Sequence, residues 1–145
     1  SGLEEINLHS NQISMVSDID KIKSLKFLNL SSNQINDLNE TGFPKKLKYL
    51  ELQKNMLLTI SKNILTLKNL EFLNVRENKI SEISPQIKHL KNIISLNLAN
   101  NQLKSLPKEI IDLKNLKTLI LTGNPLSTVQ VEDLRKQMPN TQIYF

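Results

Sequence analysis

Six asparagines recur along this chain at intervals of 22 or 23 residues, and each occupies the same place in a repeated pattern of apolar residues. Around Asn78, for example, Leu70, Leu73 and Val75 come before the asparagine and Ile80 follows it. A regular period of this length is typical of proteins built from stacked, equivalent units rather than around one closed core. The six positions are Asn11, Asn33, Asn55, Asn78, Asn101 and Asn124.

Within each repeat, apolar and polar residues alternate over a short segment, as in Leu96, Asn97 and Leu98. Alternation with a period of two predicts a strand with one buried face. Strands at the same position of successive repeats would form one parallel sheet, with roughly 4.8 Å between strands. Because no repeat can bury its apolar face alone, stability should come from contacts between neighbours. We predict a single domain with six repeats over residues 1–126 and a cap over residues 127–145.

The segment that returns from one strand to the next differs between repeats. In the first repeat an apolar residue recurs at every third position from Ile13 to Leu25, which predicts tight 3-10 turns. In repeats three to five one interval lengthens to four residues. Pro85 and Pro107 lie in that wider step, where a fixed φ favours the start of a turn or short helix. Residues 42–44 interrupt the second repeat, and we predict an irregular loop there.

The repeated asparagines are predicted to be structural. A side-chain amide carries both donors and an acceptor, so each one can satisfy backbone groups in its own loop and in the next repeat. The alternative is a row of six ligand-binding amides. We favour the structural interpretation because buried polar groups in proteins are almost always hydrogen-bonded.

The end of the chain is predicted to cap the last repeat. Ser127 and Gln130 have the spacing of a capping box, which begins a helix, and Pro139 predicts where that helix ends. Beyond it, Ile143 and Phe145 are expected to point inward from a seventh short strand. The apolar face of the helix comprises Val131, Leu134 and Met138.

The start of the sequence has no matching cap. Leu3, Ile6 and Leu8 are predicted to lie on an edge strand with no visible cover, and such an edge invites pairing with another chain. Two explanations are open, a missing N-terminal cap and self-association through this edge. We favour the missing cap.

The LxxLxLxxNxL pattern of the repeats resembles that of the leucine-rich-repeat proteins over nearly the whole chain. The segments LPKEIIDLKNL and LRKQMPNTQIYF are similar to those of leucine-rich-repeat proteins from spirochaete bacteria. This resemblance implies an α/β fold, a right-handed, horseshoe-shaped solenoid. Its parallel sheet would be concave, its short 3-10 or helical turns convex, and its C-terminal cap a helix plus a strand. The resemblance also implies a bacterial protein-binding role, in a secreted or cell-surface protein that contacts a host, with a cytoplasmic location as the alternative.

The outward residues of stacked strands form columns on the concave face, the usual binding face of such solenoids. One column places three of the six aromatic residues of the chain on consecutive repeats. Aromatic residues and arginine within a polar rim are typical of protein-binding hot spots. The alternative is that these rings pack across strands only to stabilise the sheet. The predicted partner-binding residues are Phe27, Asn29, Tyr49, Glu51, Gln53, Phe72, Asn74 and Arg76.

A second row consists of lysines, each two residues before the first inward residue of a repeat. We call them the lysine rim: Lys23, Lys45, Lys68, Lys91 and Lys114. Such a row would suit a sulfated glycan or an anionic surface, so a polyanion-binding adhesin is the alternative function. The simpler interpretation is a solvated face that keeps the chain soluble. Nucleic acid is disfavoured as a partner because arginine is scarce and no known recognition motif is present.

The sequence argues against catalysis and metal binding. The chain has no cysteine, so it forms neither a disulfide nor a catalytic thiol. His9 and His89 fall in different repeats on opposite faces, and no cluster has metal-ligand spacing. Three glycines are too few for a phosphate-binding loop. We therefore expect no enzyme activity, no cofactor and no metal, and the lack of a long apolar run predicts no membrane span.

Overall fold

The fold is one open sheet of seven parallel strands, in a computed structural model that describes residues 2–145. The strands lie side by side in the order of the sequence, so each repeat contributes one strand next to that of the repeat before it. This arrangement confirms the solenoid predicted from the period. The strands are β1 (Glu5–Asn7), β2 (Phe27–Asn29), β3 (Tyr49–Glu51), β4 (Phe72–Asn74), β5 (Ser95–Asn97), β6 (Thr118–Ile120) and β7 (Gln142–Tyr144).

The register keeps equivalent positions of successive repeats next to each other. Leu73 of β4, for example, pairs with Leu96 of β5, and Leu96 pairs with Leu119 of β6. In each strand the middle residue points into the core while the first and third face outward, because side chains alternate along a strand. The middle residues of β2 to β6 are at most 1% exposed: Leu28, Leu50, Leu73, Leu96 and Leu119.

The return segments on the convex side are short helical turns in most repeats. The helices are α1 (Lys62–Leu65) in the third repeat and α2 (Thr128–Gln137) in the cap. The 3-10 segments are Ile19–Lys21, Pro85–His89 and Lys108–Asp112. Pro85 is the first residue of its segment and Pro107 comes directly before the last one, which confirms the predicted role of both prolines. The second repeat has no helical segment between β2 and β3, as its interrupted pattern predicts.

The repeated asparagines form a ladder of hydrogen bonds between neighbouring repeats. Asn78 Nδ2 donates to the carbonyl of Val75 at 2.9 Å in its own loop and to that of Leu52 at 3.0 Å in the preceding repeat. Asn78 Oδ1 accepts from the N–H of Leu57 at 2.9 Å, also in the preceding repeat. The prediction that these bonds reach the next repeat is therefore wrong in direction. Asn33, Asn55, Asn101 and Asn124 make the same set of contacts.

The first repeat lies at an open edge of the sheet. Asn11 is exposed, and its Nδ2 donates only within its own repeat, to the carbonyls of Leu8 at 2.9 Å and His9 at 3.2 Å. Between residues 2 and 145, β1 pairs with β2 alone. Leu3 is accordingly 54% exposed and Leu8 38% exposed. Self-association through this edge remains a prediction.

The C-terminal cap begins with the predicted capping box. Ser127 Oγ accepts from the N–H of Gln130 at 3.1 Å, and Gln130 Oε1 accepts from the N–H of Ser127 at 2.8 Å. The predicted apolar face of α2 is buried, and Ile143 of β7 is buried beside Leu119. Phe145, in contrast, does not point inward as predicted. It is 44% exposed, because it lies beyond the end of β7 and the described residues provide no further repeat to cover it.

Candidate functional site on the concave face of the sheet

Three aromatic rings form a column across β2, β3 and β4, at the first outward position of each strand. The rings of Tyr49 and Phe72 are stacked, with centroids 4.6 Å apart and planes 4° from parallel. Phe27 is tilted by 43° against Tyr49, at a centroid distance of 6.1 Å. This geometry follows from the register, because strand spacing in a sheet is close to the distance at which rings stack. We call these three residues the aromatic column.

The aromatic column lies outside the hydrophobic core. Tyr49 is 37% exposed, and Phe27 and Phe72 are partly buried. The inward residues of the same strands, such as Leu50, provide the core contacts instead. The rings therefore present apolar surface on the concave face, and they shield part of it from water by packing on each other.

The second outward position of these strands holds polar residues. Asn29 Oδ1 accepts from the N–H of Ser31 at 3.0 Å and from its hydroxyl at 2.6 Å. Asn74 Oδ1 accepts from the N–H of Arg76 at 3.0 Å. These bonds hold the chain where β2 and β4 end. Glu51, between the two asparagines, takes part in none of the four ion pairs found in residues 2–145.

Gln53 and Arg76 follow β3 and β4 on the same face. Arg76 Nη2 lies 3.3 Å from Glu77 Oε2, a distance that allows charge attraction. That oxygen is buried and has no hydrogen bond, so the contact lacks the alignment of a strong ion pair. Gln53 Oε1 is also buried without a donor. A buried acceptor in this condition carries a desolvation penalty of about 1–3 kcal/mol.

All eight residues predicted to bind a partner are brought together by the structure. They occupy the outward positions of β2, β3 and β4 and the second position after β3 and β4. The sequence does not indicate that two of them differ from the rest. Glu51 has no ion-pair partner and Gln53 has an unsatisfied buried oxygen, and both features depend on side-chain positions.

The lysine rim lies in the loops that lead into the strands, and all five of its side chains are exposed. None of them takes part in an ion pair within the described part of the chain. A second row of asparagines next to the rim is missed by sequence reasoning, although its members recur every 23 residues. Asn69, Asn92 and Asn115 donate to the carbonyls of Lys45, Lys68 and Lys91 at 2.9, 2.7 and 2.8 Å. These bonds hold the loops of the rim against one another.

In residues 2–145, no group of histidine, aspartate or glutamate side chains is arranged to hold a metal ion. No helix in the same range is long and apolar enough to cross a membrane. The longest helix, α2, has 10 residues.

Comparison with known proteins places this architecture in a family. The family model described as Leucine rich repeat matches residues 68–126, and the model described as Leucine Rich repeats (2 copies) matches residues 1–43. Together the two matches span more than half of the chain. The chain belongs to the leucine-rich-repeat proteins, whose repeat folds typically serve as non-enzymatic scaffolds for binding other proteins.

Two solved structures from bacteria are similar to this chain. A leucine-rich-repeat protein of Leptospira interrogans is similar with a TM-score of 0.90 and 40% identity, over 99% of this chain and 37% of that one. An internalin from Listeria monocytogenes shares the fold, with a TM-score of 0.68 and 24% identity over 98% of this chain and 47% of that one. The chain thus spans less than half the length of either relative. No curated protein matches it at a significant level.

Proposed function

We propose that this chain is a protein-interaction module that binds its partner on the concave face, around the aromatic column. The observation that carries this proposal is the column of three rings outside the core, in which Tyr49 is 37% exposed. Aromatic side chains contribute a large share of the energy at protein interfaces when a partner excludes water from them. The polar residues beside the rings would form the rim of such an interface.

Cross-strand packing is the competing explanation for the rings. Stacked aromatic pairs contribute about 0.5–1.5 kcal/mol beyond the area they bury, so the column also stabilises the sheet to some degree. Packing alone does not require the rings to face outward, since inward residues such as Leu50 already link the strands. We therefore assign the column mainly to binding.

We expect the concave variant Phe27→Ala, Tyr49→Ala, Phe72→Ala to lose its partner while it keeps its fold. The test is a pull-down from bacterial and host-cell extracts with the wild type and this variant, after circular dichroism shows that the variant is folded and melts cooperatively. A control is Val129→Ala, which removes a 78% exposed apolar side chain from α2, outside the sheet. The proposal requires a protein that the wild type and the control retain and the concave variant loses. Equal retention by all three proteins would contradict it.

A second candidate function rests on the lysine rim. Its five exposed ammonium groups have no carboxylate partners in the described part of the chain, so they are available to a sulfated or phosphorylated polyanion. Binding through the lysine rim predicts a salt dependence that binding through the aromatic column does not. Binding through exposed charges should weaken steeply as salt is added, because the Debye length falls from about 10 Å at 0.1 M to about 3 Å at 1 M.

We expect a heparin column to distinguish these functions. If the rim is the working site, the wild type should be retained at low salt and Lys68→Gln, Lys91→Gln, Lys114→Gln should elute much earlier. If the aromatic column is the working site, the captured partner should persist in high salt and the rim variant should retain it as well as the wild type. Retention on heparin that is unchanged in the rim variant would exclude the second candidate.

A further inference from the structure

Strand β3 differs from its two neighbours in the hydrogen bonding of its outward polar groups. On β2 the outward amide of Asn29 is bonded to Ser31, and on β4 that of Asn74 is bonded to the backbone of Arg76. On β3, Glu51 has no ion-pair partner in residues 2–145. Two residues beyond it, Gln53 Oε1 is a buried acceptor without a donor. The middle of the concave site thus contains two acceptors that the chain does not satisfy.

These acceptors lie beside the stacked rings. Every second residue of an extended chain faces the same side of the sheet. The concave side therefore carries the side chains of Tyr49, Glu51 and Gln53. Arg76, which follows the neighbouring strand β4, lies with its Nη2 3.3 Å from Glu77 Oε2 and forms no ion pair with Glu51. The site therefore offers a carboxylate, an amide oxygen and an aromatic surface to one incoming group.

We infer that the concave site binds an arginine side chain of the partner. Its guanidinium group would lie against the exposed part of the Tyr49 ring and would donate to Glu51. After a rotation of the Gln53 side chain, it would also donate to Gln53 Oε1. A guanidinium group is planar, carries five donors and stacks on aromatic faces, whereas an ammonium group has three donors and no plane. Charge complementarity favours arginine over a neutral donor, because Glu51 is partly buried and unpaired. This inference rests on the proposed function and adds the chemistry of the partner.

The net charge of the chain restricts how such a partner is recognised. A chain with a net charge of +5 repels a basic molecule at long range, so the attraction must come from short-range contacts at the site. We therefore expect arginine within an otherwise neutral or acidic segment rather than a run of basic residues. Association with such a segment should tolerate moderate salt.

The test uses a display library of random peptides selected on the whole wild-type chain. Selected peptides should be enriched in arginine relative to the unselected library. Synthetic copies of them should bind at least tenfold more weakly when citrulline replaces arginine, where about tenfold is the loss of one charge-assisted hydrogen bond. Citrulline keeps the shape of the side chain and removes its charge, so this change isolates the guanidinium group.

Glu51→Gln should reduce binding of the arginine peptides by about tenfold or more, and it should reduce the difference between arginine and citrulline to the part that the aromatic contact contributes. Glu82→Gln is the matched control, since it removes one exposed carboxylate from the return segment of the fourth repeat and should leave binding unchanged. Selected peptides without arginine enrichment, or equal binding by the wild type and Glu51→Gln, would overturn the inference.

The same peptides separate this inference from the proposed function. Some peptides could require Tyr49 and Phe72 but bind equally well with citrulline or to Glu51→Gln. Such peptides would support the concave binding site and contradict the inference that it binds arginine. Peptides whose binding survives Tyr49→Ala and Phe72→Ala would refute both ideas. A selection that yields no binding peptide would also count against both.

Discussion

Leu96→Ala is expected to lower the free energy of unfolding by about 2–5 kcal/mol. Leu96 is the middle residue of β5, is 0% exposed and pairs with Leu73 and Leu119 on the two neighbouring strands. Removing its side chain loses the hydrophobic transfer free energy and leaves a cavity between repeats. Because stability in a stacked fold comes mainly from the interfaces between repeats, this cavity weakens contacts on both sides of β5.

Chemical denaturation would measure this loss, as a fall in the midpoint with an unchanged slope. The matched control is Leu58→Ala, which makes the same chemical change at a side chain that is 60% exposed. We expect the control to change stability by no more than about 0.5 kcal/mol. Similar losses for Leu96→Ala and Leu58→Ala would contradict the assignment of Leu96 to the interface between repeats.

Asn78→Ala is expected to lower the free energy of unfolding by about 1–3 kcal/mol. The asparagine is 8% exposed, and its amide is the partner of the Leu57 N–H and of the Leu52 and Val75 carbonyls. Alanine leaves these buried backbone groups without their side-chain partner. The loss should exceed the effect of the missing side-chain volume, since unsatisfied buried groups retain their desolvation penalty.

The first asparagine of the row provides the control for this prediction. Asn11 is exposed and bonds only within its own repeat, so Asn11→Ala should cost well under about 1 kcal/mol. Thermal unfolding of both variants under the same conditions makes the comparison. Equal melting temperatures for Asn78→Ala and Asn11→Ala would contradict the view that the ladder joins neighbouring repeats.

Much of this fold was predictable because two periods act together. Alternation with a period of two decides which residues face outward, and the constant repeat length aligns those residues on neighbouring strands. For this reason Phe27, Tyr49 and Phe72 are found at the predicted register. The start of α2 was predictable for a different reason, since the capping box is a local signal between Ser127 and Gln130.

Other features depend on relations that a linear pattern does not contain. The direction of the asparagine bonds depends on which loop lies over which, and the period is the same in either direction. Phe145 continues the alternation of β7, but burial also requires a neighbouring repeat to cover it. The contrast between the stacked pair Tyr49–Phe72 and the tilted pair Phe27–Tyr49 is set by side-chain torsions rather than by register.

A backbone feature of the turns was also missed. The residue before each ladder asparagine has a positive φ, near 55° in most repeats and 76° at Gly123: Ser10, Ser32, Lys54, Glu77, Asn100 and Gly123. Glycine is the residue that adopts this conformation most readily, yet only the last repeat has it. There a Cβ would lie 1.9 Å from Asn100 Oδ1, so a larger residue would require the Asn100 side chain to move. In the other repeats, the ladder and the sheet must hold a less favourable conformation.

The affinity and the stability of Tyr49→Ala, measured together, test the central claim most directly. With the partner captured by the wild type, this substitution should weaken binding by on the order of 2 kcal/mol, about 30-fold, because it removes the middle ring of the aromatic column. Its free energy of unfolding should fall by only about 0.5–1.5 kcal/mol, the contribution of the ring stacking that is lost, because the side chain is outside the core. A loss of stability as large as the loss of affinity, or unchanged affinity, would contradict a binding role for the column.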